Sequence, residues 1–182
     1  MSKIGRKPIS IRGIQVSVAG HKVTYKGNSA AGVYELPETL SAEVKDSFLF
    51  IQPSSQGARL REINRIWGLH RALLSNCIKG SGTPFERQLE IIGLGFKAAV
   101  SGKKIQFSLG YSHKIDFILP DGVSAETDKT GQLLTLKSPD REQIGQACSN
   151  IRALRPPEPY KGTGVKLKTE TILRKAGKTK SS

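Results

Sequence analysis

No apolar run in this 182-residue chain approaches the ~20 residues that a membrane-spanning helix needs; the longest compact one covers residues 48–51. No apolar segment follows the basic N-terminus either, so neither a membrane partner nor a signal peptide is expected. Cysteine is scarce. Cys77 and Cys148 stand alone, without the density of a secreted disulfide scaffold or the Cys and His spacings of a zinc site. Both read as buried, reduced thiols in a cytosol-like compartment, and neither a metal nor a cofactor is expected. Histidine is scarce too: His21 reads as a turn residue and His70 lies on the apolar stripe of a helix. No nucleophile, base and orienting group converge, so no enzyme and no small-molecule substrate are expected. Acids are outnumbered, with 15 Asp and Glu against 29 Lys and Arg, a net charge of +14 and a pI near 10.0. A chain so charged is drawn to polyanions, chiefly nucleic acid.

The charge is not spread evenly. From residue 151 onward nine Lys and Arg face two acids, and residues 1–82 hold twelve against five, a net of +7 in each stretch, while residues 83–150 hold eight of each. The middle therefore reads as scaffold and the ends as contacts. The last stretch is the more specific. A helical pattern stops at Leu154 and runs into Arg155, Pro156, Pro157, Glu158, Pro159, Tyr160, Lys161, Gly162, Thr163, Gly164, Val165 and Lys166. Three prolines in four residues predict an extended, stiff arm that looks built to touch an anion, and Gly162 and Gly164 allow close backbone approach to a partner.

The chain also repeats itself. Leu36, Pro37, Glu38, Thr39, Leu40, Ser41, Ala42, Glu43 recurs 83 residues later as Leu119, Pro120, Asp121, Gly122, Val123, Ser124, Ala125, Glu126. Upstream, Gly20 to Tyr25 parallels Gly102 to Phe107. Short alternating segments such as Val16, Val18, Val23 and Tyr25 predict strands in each copy, and each copy closes with a helix. Leu60, Ile63, Ile66, Trp67, His70, Leu73, Leu74, Cys77 and Ile78 mark the first helical stripe; Ile144, Ala147, Cys148, Ile151 and Leu154 mark the second. Ser138, Pro139 and Asp140 predict the start of the second helix. The expected fold is α+β: two duplicated domains, each a small antiparallel sheet packed against a helix, with an extended basic C-terminal tail. The first repeat, with its basic N-terminal segment, spans 1–82, the second 83–155 and the tail 156–182, residues 79–84 having linker composition.

Two motifs fail on context. Gly177, Lys178, Thr179 lacks the earlier glycine and the preceding strand of a phosphate-binding loop, and Gly93, Leu94, Gly95, Phe96 sits between strands as a bulge or tight turn rather than before a helix. His113 is more telling. With Tyr111, Ser112 and Lys114 it forms a cluster where a sheet loop meets RNA, the alternative being a purely structural turn. Lys3, Arg6, Lys7 and Arg12 place four cations and no acid in twelve residues, a second RNA contact or, alternatively, a solubilising end.

Ser2, Lys3, Ile4, Gly5, Arg6, Lys7, Pro8, Ile9, then residues 89–95, Gly102, Lys103, Lys104, Gly110, Tyr111, Ser112, His113 and residues 152–164 carry a resemblance over nearly the whole chain to the bacterial-type large-subunit ribosomal protein six family. Thr163 stands where a lysine is common, and residues 54–67, especially Gln56, Gly57, Ala58, Arg59, Leu60 and Arg61, are less like the family than their surroundings. The resemblance implies a structural constituent of the large ribosomal subunit, binding large-subunit rRNA near the sarcin-ricin loop and the stalk base. Neighbouring ribosomal proteins there, and elongation factors indirectly, are the other implied partners. It starts at Ser2, which leaves no room for a transit peptide; the expected place is cytoplasmic, with an organellar ribosome left open. On this reading Lys161, Lys166, Lys168, Arg174 and Lys175 neutralise phosphates, Arg152 and Arg155 present forked donors and Tyr160 packs on sugar or base. About five such contacts imply that affinity falls roughly two orders of magnitude between 50 and 200 mM salt. A free nucleic-acid-binding regulator or RNA chaperone fits the charge equally and is separated by stoichiometry with a ribosomal particle.

Overall fold

The computed structural model describes residues 2–54 and 60–177. The poorly matching Gln56, Gly57, Ala58 and Arg59, and Lys178 and Thr179 of the failed phosphate motif, lie outside these. Contacts divide the chain into two units, Met1–Pro84 and Phe85–Ser182.

In the first unit β1 (Ile9–Ser10), β2 (Gln15–Ala19), β3 (Lys22–Lys26), β4 (Ala31–Glu35), β5 (Leu40–Lys45) and β6 (Phe48–Pro53) precede the helix α1 (Leu60–Gly82). The strands make two antiparallel sheets, β2-β3-β4 and β1-β6-β5. In β3 the apolar Val23 and Tyr25 face inward, Val23 buried and Tyr25 half-buried, and alternate with the exposed Lys22, Thr24 and Lys26. Leu40, Leu49, Leu74 and Ile78 are fully buried between the sheets and α1. Trp67 closes that core, its indole N–H donating to the Ile51 carbonyl at 2.7 Å.

The second unit repeats the plan. β7 (Phe85–Ile92), β8 (Lys97–Ser101), β9 (Lys104–Ser108), β10 (Ile115–Ile118), β11 (Ser124–Thr127) and β12 (Leu133–Ser138) precede α2 (Arg141–Leu154), and β13 (Gly164–Leu167) follows it. β10-β9-β8 matches the first meander, and the other sheet runs β11-β12-β7-β13. The duplication reaches single hydrogen bonds. Leu36 N–H donates to the His21 carbonyl and Leu119 N–H to that of Lys103; Leu40 N–H reaches Pro37 and Val123 N–H reaches Pro120. Gly20 and Gly102 turn with φ of 62° and 61°. Asp140 caps α2, its carboxylate accepting the Glu142 N–H at 2.8 Å.

The expected α+β fold of two duplicated sheet-and-helix domains is present, the strands of each unit dividing into a meander and a second antiparallel sheet. Two finer expectations are corrected. Residues 79–82 are the last turn of α1, not linker: Ser81 is buried, and its carbonyl accepts the Ser29 N–H at 2.8 Å. A Cβ on Gly27 would stand 2.2 Å from that same oxygen, so it is the missing side chain of Gly27 that lets the chain approach the helix end this closely. The arm after α2 does not simply project. It turns back, and residues 164–167 pair antiparallel with β7, whose edge they cover.

Candidate nucleic-acid interface

α2 ends where the prolines forbid further helix, and Arg155 takes an extended cap conformation there (φ −151°, ψ 87°). Its carbonyl accepts the Val165 N–H at 2.8 Å, which ties the start of the arm to β13. Between them a closed loop forms. Glu158 N–H donates to the Thr163 carbonyl, Gly162 N–H donates to the Glu158 carbonyl, and the Thr163 hydroxyl bonds the Glu158 carboxylate at 3.1 Å. Tyr160 and Lys161 are left exposed at its tip.

The loop between β9 and β10 meets this junction. The Tyr111 hydroxyl donates to the Leu154 carbonyl at 3.1 Å, meeting one of the acceptors that a helix end leaves open. The Arg155 guanidinium lies over the Tyr111 ring at 5.0 Å, a cation–π geometry, and the His113 ring stacks beside Tyr111 with centroids 6.4 Å apart. The loop has its own support: Cβ atoms on Gly93 and Gly110 would each stand within 2.7 Å of the Phe96 ring, so that ring packs directly on both backbones. Ser112 and Lys114 are exposed on the same loop. Tyr111 and His113 thus meet the Leu154–Arg155 helix end, more than 40 positions away, in one junction of two rings and a cation.

The tail continues it. Lys175 N–H donates to the Pro159 carbonyl at 2.9 Å, and the Arg174 guanidinium lies 3.1 Å from where a Cβ of Gly162 would be. Arg155, Lys161, Arg174 and Lys175 make no ion pair with the described residues. Other expected contacts are engaged inside the unit. Arg152 binds Glu170 through two nitrogens, Nε at 3.0 Å, Lys166 pairs with Glu90 at 2.8 Å, and the Lys168 amine reaches the Gln88 side chain at 2.9 Å. The Arg152 hydrogen bond holds the Glu170 carboxyl below the usual carboxylate range and raises Arg152 in turn.

The Gly162 N–H is already given to the Glu158 carbonyl at 3.0 Å. Gly162 and Gly164 are both buried, and a Cβ on Gly164 would meet the Pro156 carbonyl oxygen at 2.7 Å; the glycines let the arm fold against itself. In the first unit Arg71 donates to the Lys7 and Pro8 carbonyls at 3.0 and 2.8 Å, fixing the segment that carries Lys3, Arg6 and Lys7. Sequence reasoning missed Glu158, Glu170 and Phe96. A signal for the first two was present, since they are the two acids in the basic terminal stretch.

Gly93 to Phe96 is a tight turn, with Gly95 at a φ of 72°. Among the described residues no helix is long and apolar enough to cross a membrane, and no His, Cys, Asp and Glu cluster is arranged for a metal ion.

A family model described as Ribosomal protein L6 matches residues 92–168. Full-length relatives bear the name large ribosomal subunit protein uL6. That of Methylocella silvestris is 42% identical over 181 residues, covering 99% of this chain and all of the relative. That of Myxococcus xanthus is 43% identical over 188 residues, and that of Campylobacter fetus 41% over 180, each with 98% of both chains covered.

Proposed function

The chain belongs to the ribosomal protein L6 family, and on that premise we propose that its second unit grips large-subunit rRNA through the Tyr111–Arg155 junction and the loop and tail beyond it. It is a structural protein of the large ribosomal subunit, and not an enzyme.

The observation that carries the reading is the Tyr111–Arg155 stack, because it joins the aromatic loop to the basic arm, whose Arg155 and Lys161 make no ion pair among the described residues. Arg155, Lys161, Arg174 and Lys175 neutralise phosphates, Lys168 assisting from beside Gln88. Tyr111, His113 and Tyr160 offer ring faces to bases or sugars, with Ser112 and Lys114 hydrogen-bonding around them. Arg152 and Lys166 act one step back, holding the arm through Glu170 and Glu90. Gly162 and Gly164 shape the arm, and Lys3, Arg6 and Lys7 make a secondary RNA contact from the first unit. Specificity comes from the fixed shape of this surface more than from base-edge readout.

We place the contact near the sarcin-ricin loop and the stalk base of a cytoplasmic ribosome, beside neighbouring ribosomal proteins and in support of the region where elongation factors bind. The resemblance over residues 152–164 supports this location. Hydroxyl-radical footprinting of rRNA in large subunits with and without the chain tests it. Protection concentrated at the sarcin-ricin loop and stalk base is expected; protection confined to other rRNA regions contradicts the location.

A further inference from the structure

We infer that Glu170, an acid within the RNA-facing basic tail, is a positioning residue that strengthens RNA binding by latching the tail to α2. The inference rests on the RNA-binding reading above.

Coulomb's law alone gives the opposite sign. A carboxylate among phosphate-seeking cations repels RNA, so removing its charge should tighten binding. The geometry points to a different role. The Glu170 carboxylate takes both the Nε (3.0 Å) and a terminal nitrogen (2.5 Å) of the Arg152 guanidinium, and it also accepts the Leu167 N–H at 3.3 Å. Glu170 N–H closes a turn onto the Leu167 carbonyl at 2.9 Å. One acid therefore fixes where the chain leaves β13, and it does so against a fork on the last turn of α2.

The consequence lies four and five residues further on. From this turn the tail runs back to the arm, where Lys175 N–H reaches the Pro159 carbonyl and the Arg174 guanidinium packs on Gly162. Two cations and the Tyr160–Lys161 loop are thereby held together before RNA arrives. Without the latch the tail is held past β13 only by the backbone turn and the Lys168–Gln88 and Lys175–Pro159 contacts, so it is looser, and part of its ordering falls on the binding step, which weakens affinity.

The test compares the intact chain, Glu170→Gln and the charge swap Arg152→Glu with Glu170→Arg. Each is titrated with purified bacterial large-subunit rRNA in filter binding from 50 to 200 mM salt, alongside amide hydrogen exchange of the free proteins. Glu170→Gln is expected to bind about threefold to tenfold more weakly, with a shallower salt slope, and the swap to recover most of the loss. In Glu170→Gln the Lys175 amide should exchange about tenfold faster, while Leu89 and Leu134 keep their protection, which separates a loosened tail from an unfolded unit. Equal or tighter binding by Glu170→Gln overturns the inference, as does a swap no better than Glu170→Gln. An intact chain that retains no rRNA overturns the RNA-binding reading and this inference with it, whereas tight binding unaffected by Glu170→Gln removes only the latch.

Discussion

Gly164 holds a φ of +138°, and a Cβ there would meet the Pro156 carbonyl oxygen at 2.7 Å and the Pro157 Cα at 2.8 Å. Both conditions penalise any side chain. Gly164→Ala is expected to lower the stability of the second unit by about 2–3 kcal/mol, read by urea denaturation, and an unchanged midpoint would count against this account of the arm. The sequence pointed to Gly164 as a place of close approach but assigned the approach to a ligand. Proximity was legible there; its partner was not, because a glycine says only that something comes near. His70 gives a prediction in pH. Burial lowers its pKa below the ordinary 6.5, and its Nδ1 lies 2.8 Å from the Tyr34 hydroxyl, which the neutral ring can accept. The folded state thus favours the neutral ring. Its contribution is full above about pH 6.5 and is lost as pH falls through the lower folded value. Thermal melts should show stability declining on that acid side, and His70→Gln should flatten part of the decline; parallel curves for both proteins would rule the residue out as a source.

At the scale of elements, the strands, both helices and the duplication could be read from alternation, helical stripes and the recurrence of Leu36 to Glu43 at Leu119 to Glu126. These are local signals, and local physics produces them. The role of residues 164–167 as β13 was not readable, since strand pairing depends on a free edge of β7 far away in sequence. The end of α1 misled for a related reason: Gly80, Ser81 and Gly82 have the composition of a linker, but they form the last turn of α1, with Ser81 buried and the Ser81 carbonyl pressed close to Gly27. β13 sets a clear expectation for truncation. Val165 is fully buried, so a chain ending at Leu154 loses that side chain and the cover of β7 together, at least about 2 kcal/mol. A chain ending at Leu167 keeps both and loses only the tail. Calorimetry should find the shorter chain clearly less stable and the longer one near the intact protein. Equal stability of all three would show that β13 does not contribute to the fold.

Over the whole molecule the net charge of +14 names a class of partner without choosing among its members. The neutral stretch 83–150 supplies most of the second unit's scaffold, while its excess positive charge comes from beyond α2. One aromatic loop, 111–114, reaches across to meet them. What composition could not reveal is which cations remain available: Arg152 and Lys166 sit in the same basic stretch as Lys161 and Arg174, yet carboxylates on the same unit already hold them. The central claim is that the surface around Arg155, Lys161 and Arg174 keeps this protein on the large ribosomal subunit. The measurement that tests it most directly is sucrose-gradient sedimentation of lysates in moderate salt, comparing the intact chain with a variant carrying Arg155→Ala, Lys161→Ala and Arg174→Ala. The intact chain should travel with large subunits and the variant should shift substantially to the top of the gradient. An intact chain that stays at the top, or a variant that co-sediments as fully as the intact chain, would contradict it.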